Sequence, residues 1–215
     1  MNDTEEYLEI VKHYEACLEK FGDTFRGVDW TNELDTATRY QVMLDLIKPK
    51  QENREDMPPV TLLDFGCGAG HLFEYMHTAE RSDIHYSGLD ASPKFVELCR
   101  RKFPETQFHC VDILQNDLRI NQVDYVIMNG VFTEKRSLSF DEMFAYFCRV
   151  IRLVFPLARH GIAFNVMSKH VDWEREDLFH LPFDTLAGFL RAEISRNYQF
   201  RADYGLYEYT AYVYR

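Results

Sequence analysis

No apolar stretch in this 215-residue chain approaches the roughly 20 residues that a helix needs to cross a bilayer. The opening Met1-Asn2-Asp3-Thr4-Glu5-Glu6 is acidic and lacks the basic and apolar regions of a secretory leader. The five cysteines are odd in number and never spaced C-x-x-C. They read as reduced thiols packed as small core hydrophobes, which points to a cytoplasmic compartment. Basic charge is scarce: 24 Lys and Arg against 35 Asp and Glu leave a formal net charge of -11. That balance works against non-specific contact with nucleic acid or anionic membranes. The one basic run, Arg100-Arg101-Lys102, reads as a solvated helix C-terminus. None of the eight histidines shows H-E-x-x-H or another paired-ligand spacing, so no metal site is expected. There is no internal repeat and no low-complexity tract. What the chain has in quantity is hydrophobic and aromatic side chains, 46% and 15%, enough for one well-packed domain without disulfide staples.

One stretch organises the rest: Leu62-Leu63-Asp64-Phe65-Gly66-Cys67-Gly68-Ala69-Gly70-His71-Leu72. The apolar run Val60 to Phe65, broken by Thr61 and Asp64, predicts a strand buried on both faces, as parallel strands are. Three alternate glycines follow, then a segment with Leu72, Phe73 and Met76 at helical spacing. Strand, glycine turn and helix make a nucleotide-binding corner. The glycines let the backbone turn tightly and approach a ligand, and the helix N-terminus offers free N–H groups.

Spacing separates the candidate ligands. The dinucleotide fingerprint G-x-G-x-x-G would need a glycine where His71 stands. Here the third glycine is Gly70, and Asp64 precedes the first by two residues, giving D-x-G-x-G-x-G. This pattern resembles motif I of the class I S-adenosylmethionine-dependent methyltransferases.

From Val60 onward strand and helix alternate, which implies right-handed crossovers and a parallel sheet. Strands are expected at about 60–65, 84–89, 106–111, 123–128 and 162–167. Helices are expected at about 70–79, from Ser92-Pro93 onward, from the capping box Ser139-x-x-Glu142 onward, and at 183–195. Tyr198 to Asp203 and Tyr207 to Tyr214, joined by a short turn, predict an antiparallel hairpin. Class I methyltransferases finish a parallel sheet with an antiparallel strand, whereas plain dinucleotide-binding dehydrogenases do not. The expected fold is α/β: a Rossmann-like, seven-stranded, mostly parallel sheet with an antiparallel C-terminal hairpin strand and helices on both faces. Residues 57–215 would form the S-adenosylmethionine-binding unit. Residues 1–56 would form an N-terminal helical cap or lid, with helices at about 3–22 and 33–48, and the polar stretch 51–58 would act as a hinge.

The resemblance assigns site residues. The corner Asp64, Phe65, Gly66, Cys67, Gly68 and Gly70 would receive the methionine end of the cofactor. Asp90 ends the second strand, and within Gly88-Leu89-Asp90-Ala91-Ser92-Pro93 it matches the family's ribose-binding acid, with Ala91 and Ser92 leaving room for adenosine. Asp112 and Ile113 resemble the third motif, which takes the adenine. Asn129-Gly130-Val131-Phe132 occupies the fourth motif position and is not N-P-P-Y, which argues against base or glutamine nitrogen as acceptor. Asn129 and Gly130 would stand near the sulfonium or the acceptor. Trp30, in the loop Gly27-Val28-Asp29-Trp30, and Arg39, in Arg39-Tyr40, look like a cap found in a group of bacterial methyltransferases. In that group the arginine pairs with the cofactor's carboxylate, a role suited to a planar guanidinium; a helix-surface charge is the other reading. His71 and Glu134 are candidate general bases, each with a capping or surface role as the alternative, and methyl transfer needs mainly alignment and a dry pocket.

The resulting expectation is methyl transfer from S-adenosylmethionine to a small-molecule acceptor by in-line displacement. A non-catalytic S-adenosylmethionine-binding regulatory protein and an NAD-dependent dehydrogenase are the rivals.

Overall fold

The computed structural model describes residues 7–48, 58–115 and 120–215. Seven strands form one sheet: β1 Val60–Phe65, β2 Ile84–Asp90, β3 Gln107–Cys110, β4 Val123–Met128, β5 Ala158–Met167, β6 Tyr198–Arg201 and β7 Glu208–Tyr214, in the order β3-β2-β1-β4-β5-β7-β6. The chain runs outward from β1 through β2 to β3, then returns to lay β4 against the other side of β1. That reversal opens a crevice at the C-terminal ends of β1 and β4, where ligands of open α/β sheets bind. β7 runs antiparallel to both β5 and β6, so it is the one reversed strand in the sheet. The expected fold is the one observed.

Two-residue alternation along the strands divides the core. Leu63, Val126, Met128, Ile162 and Phe164 face one apolar layer, shared with α5 (Phe140–Val154) and α6 (Phe183–Phe189) and reached by Ile10 of α1 (Leu8–Phe21). Leu62, Tyr125, Ile127, Ala163 and Tyr212 face the other, covered by α2 (Leu34–Leu44), α3 (His71–Thr78) and α4 (Pro93–Lys102). Local signals set the helix ends. Ser92 caps α4 by accepting from the Phe95 N–H, with Pro93 in the first turn. Ser139 and Glu142 satisfy each other's backbone at the start of α5.

Three elements differ from expectation. β5 starts at Ala158, because Val123 of β4 pairs with it, although exposed Arg159 and His160 break the apolar pattern there. The last helix is α6 followed by a π turn, Leu190–Ile194. A 3-10 turn at Phe25–Val28 sits inside the glycine-bounded loop.

The 56/57 boundary and almost all of the polar stretch 51–58 lie outside the described residues. Within the expected cap, the two helices behave differently. α2 belongs to the core: Tyr40, Val42, Met43 and Leu44 pack with β1 and α3, and the Tyr212 hydroxyl donates to the Val42 carbonyl at 2.5 Å. α1 buries chiefly Ile10 and Cys17 and lies across the end of the sheet.

Phe147 is fully buried, with the rings of Phe132, Phe164 and Phe189 at 4.9, 5.2 and 5.8 Å. Phe147→Ala should lower unfolding free energy by about 3–5 kcal/mol in urea denaturation. A loss below about 1 kcal/mol would mean that this aromatic layer is not the centre of the core.

Candidate functional site

After Phe65 the chain passes through Gly66, Gly68 and Gly70, whose φ angles of 75°, 51° and 76° are left-handed. Gly66 is also a point of close approach, since a Cβ there would lie 2.5 Å from Cγ2 of Val131, in the loop after β4. The turn is held by its neighbours. The Gly66 and Cys67 N–H groups donate to the Leu89 carbonyl at 2.7 and 3.0 Å. Asp90 accepts from the Gly68 N–H at 2.9 Å with one oxygen and from the Ser92 N–H at 2.8 Å with the other. Its carboxylate thus joins the glycine turn to the start of α4 and keeps lone pairs for further donors. Burial pushes the Asp90 carboxyl up, and the two backbone N–H groups pull it back. Asp64, buried behind the turn, accepts from the Tyr86 hydroxyl at 2.8 Å. Burial drives its carboxyl up to about 7; Tyr86 opposes the rise and the charge of Asp90 adds to it.

These groups line a cleft with about 1090 Å³ of empty space, open solvent included. Of the residues expected around the cofactor, Trp30, Asp64, Phe65, Gly66, Cys67, Gly68, Asp90, Ala91, Ser92, Asp112, Ile113, Asn129 and Gly130 all line it, and so does His71. Gly70 does not; it caps α3. Arg39 does not either. Its Nε donates to Glu208 Oε2 at 3.0 Å and it lines a neighbouring cavity, so in this structure the guanidinium is committed to a carboxylate of the protein itself.

The acceptor groups fit the hydroxyl and amino donors of a nucleoside carrying an amino acid. Carboxylates stand at the ends of β2 and after β3, and apolar Ile113 and Leu114 flank Asp112. Asn129 Oδ1 is buried without a partner, an acceptor waiting for a donor that the described chain does not supply.

Sequence reasoning missed the roof of the cleft. Tyr7, the residue that precedes α1, and Ile10, Val11 and Tyr14 within it, with Val28 and Tyr146, complete the wall. Tyr7 donates to Asp112 Oδ2 at 2.5 Å, and Tyr14 donates to the Gly130 carbonyl at 3.2 Å. Burial and then Asp112 push the Tyr7 hydroxyl up to about 12. The helical spacing of these tyrosines signalled a buried face without saying what it covers. The loop after α1 is pinned to the glycine turn through Asp23, which pairs with His71 at 2.8 Å and with Lys102 at 2.8 Å. His71 therefore fastens the cap. Lys94 ties α1 to α4 through Glu15 and Glu19. No metal site was expected from histidine spacing, yet the fold brings His13, Cys17 and Asp29 within 4.8 Å of one another. A His13–Asp29 hydrogen bond of 2.6 Å closes that group.

The neighbouring cavity has about 1380 Å³ of empty space and shares Trp30 and Gly130 with the cleft. A buried relay crosses between them. The Gly130 N–H donates to Asn165 Oδ1 at 2.7 Å, the Asn165 amide donates to Glu208 Oε1 at 2.9 Å, and Arg39 closes the chain. Glu134 lines this second cavity and not the cleft, buried and paired with Arg136 at 3.3 Å. Burial, then the charge of Asp29, raise its carboxyl.

The folded protein holds a proton on Asp64 more tightly than the unfolded chain does. The corresponding stability is full below the ordinary carboxyl value of 3.8 and is lost as pH rises to about 7. Asp64→Asn keeps an acceptor for Tyr86 and removes the titration. The variant should gain on the wild type by about 2–3 kcal/mol between about pH 5 and pH 8 in chemical denaturation. A difference that does not change with pH would refute the buried ionisation.

Residues 62–153 match the family model described as a methyltransferase domain. A Mycobacterium tuberculosis protein, Rv1506c, which bears a provisional methyltransferase name, is 26% identical over 160 residues, covering 72% of this chain and 93% of that one. The magnesium protoporphyrin IX methyltransferase of Synechocystis PCC 6803 with bound S-adenosylhomocysteine aligns with a TM-score of 0.64 at 16% identity, over 97% of this chain and 99% of that one. The plantazolicin methyltransferase, in complex with a monoazolic desmethyl analogue and S-adenosylhomocysteine, aligns with a TM-score of 0.60 at 13% identity, over 99% and 93%. At such identities the structural likeness establishes the fold. The matched stretch spans the glycine corner, both strand-end acids and Asn129, the residues on which the resemblance to class I S-adenosylmethionine-dependent methyltransferases rests.

Proposed function

We propose that the cleft holds S-adenosylmethionine and that the second cavity receives a small-molecule acceptor. The observation that carries this reading is the junction: Trp30 and Gly130 belong to both spaces, beside the unpartnered oxygen of Asn129. When bound, S-adenosylmethionine supplies a methyl group on a positively charged sulfur, open to in-line attack. The chain's residues bind, align and dry. Asp90 accepts from the ribose hydroxyls, Asp112 and Ile113 hold the adenine, and Asp64 with the glycine turn sets the amino-acid end. Asn129 accepts from a donor near the reacting centre, while α1 and residues 22–30 cover the cleft against water. The preformed second cavity favours an enzyme over a cofactor-binding regulator. Among the described residues no helix is long and apolar enough to cross a membrane. The free cysteines suit work in the cytoplasm.

Calorimetry provides the test. S-adenosylhomocysteine should bind in the micromolar range, about 8 kcal/mol, and NAD should give no heat. Asp90→Ala should weaken that binding by about 1.5–3 kcal/mol without loss of the fold by circular dichroism. Unchanged affinity would remove Asp90 from the site. The cap gives a separate expectation. Amide exchange over residues 22–30 should slow by about tenfold or more when S-adenosylhomocysteine is added, and Asp23→Ala should speed exchange in the ligand-free protein. Exchange indifferent to the ligand would rule out a closing role for the loop.

A further inference from the structure

The second cavity is one-sided in charge. The carboxylates of Asp29, Asp35, Glu134, Asp172 and Glu208 line it, against Arg39 and Arg175. Both arginines are already engaged, Arg39 by Glu208 at 3.0 Å and Arg175 by Asp177 in a two-point fork at 2.6 and 3.0 Å. Asp35 and Asp172 meet only neutral donors among the described residues, the Asn32 amide at 2.9 Å and the Tyr207 hydroxyl at 3.4 Å. The cavity also turns aromatic rings outward. Trp173 is 71% exposed and Tyr207 60% exposed, an arrangement that hydrophobic packing does not account for. Moreover, the cavity already holds one organic cation by this combination: the Arg39 guanidinium sits 5.2 Å from the Trp30 ring centroid while paired with Glu208. Carboxylates together with aromatic faces are the chemistry that recognises an organic ammonium ion.

We propose, resting on the acceptor-cavity reading above, that this cavity takes an acceptor bearing an amine and binds it as its ammonium ion, between the Trp173 and Tyr207 rings and the unpaired carboxylates. An anionic acceptor would be repelled by the same groups. The methylation step balances with Glu134, the buried carboxylate four residues beyond Gly130. The ammonium passes one proton to Glu134, and the freed nitrogen lone pair forms the N–C bond. The C–S bond breaks with its electron pair remaining on sulfur.

The chain's two tryptophans, Trp30 and Trp173, both line this cavity, so intrinsic fluorescence reports on it directly. The full chain is first saturated with S-adenosylhomocysteine, which completes any change that the cofactor causes at Trp30. Benzylammonium should then give a saturable signal with affinity about tenfold or more above that of benzyl alcohol, and benzoate should give none. Asp172→Asn and Glu134→Gln should each weaken benzylammonium by about threefold or more and leave benzyl alcohol and S-adenosylhomocysteine unchanged. Benzoate binding as tightly as benzylammonium, or no saturable signal with benzylammonium up to about 50 mM, overturns the amine assignment while the cofactor reading stands. Failure of S-adenosylhomocysteine to bind at the outset brings down the cofactor reading first, and the amine assignment with it.

Discussion

At Gly66 there is no space for a side chain. A methyl group there would press on Val131 at 2.5 Å, and the backbone stands at a φ of +75° that other residues adopt only with strain. This close approach draws the loop after β4 against the turn after β1, across the line where strand order reverses. Gly66 and Val131 line the cleft, and Gly130, one residue earlier, lines both the cleft and the second cavity. The place where the two spaces meet therefore follows from a packing constraint within the corner.

The structure uses partly buried carboxylates as joints. Asp90 bonds the N–H groups of two separate turns, Asp112 takes Tyr7 just ahead of α1, and Asp124 takes both the N–H and the hydroxyl of Thr61. A carboxylate suits this work because its two oxygens accept several bonds at once, and charge strengthens each. Near the cleft the consequence is a surplus of negative charge with raised carboxyl values at Asp64 and Asp90. A ligand with a cationic centre relieves that surplus, which is what a sulfonium and an amino group bring.

What could be read in advance, and what could not, divides by range. β1 and β4 were expected at the residues where they occur, because a buried parallel strand writes a continuous apolar run. Gly66, Gly68, Asp90 and Asp112 follow one another on successive strand ends, and the local motifs that carry the family resemblance were enough to expect them in one cleft, which they line. Arg39 shows where this ends. Its partner, Glu208, lies 169 residues away, and neither helical periodicity nor charge pattern around Arg39 points to it. The second cavity draws on residues from 29 to 208, spread over α2, β5, β7 and several loops, so its existence depends on topology. Tyr7 and Tyr14 fall between these cases: the apolar face of α1 was evident, while its burial against the cleft was set by the docking of α1 across the sheet.

The relay from Gly130 through Asn165 and Glu208 to Arg39 links those long-range parts. Glu208 and Asn165 are almost fully buried, so each member depends on the others for its partners. Removing Arg39 would leave the Glu208 carboxylate in a site of low polarity with, among the described residues, the Asn165 amide as its remaining partner, a far larger penalty than the loss of one surface ion pair. Glu208 opens β7, the strand that the sheet reverses to accommodate, and Arg39 lies on α2, whose apolar side is part of the core. The reversed strand thereby acquires a function beyond closing the sheet. It delivers the carboxylate that fixes Asn165, and Asn165 fixes the N–H of the glycine at which the cleft and the second cavity meet.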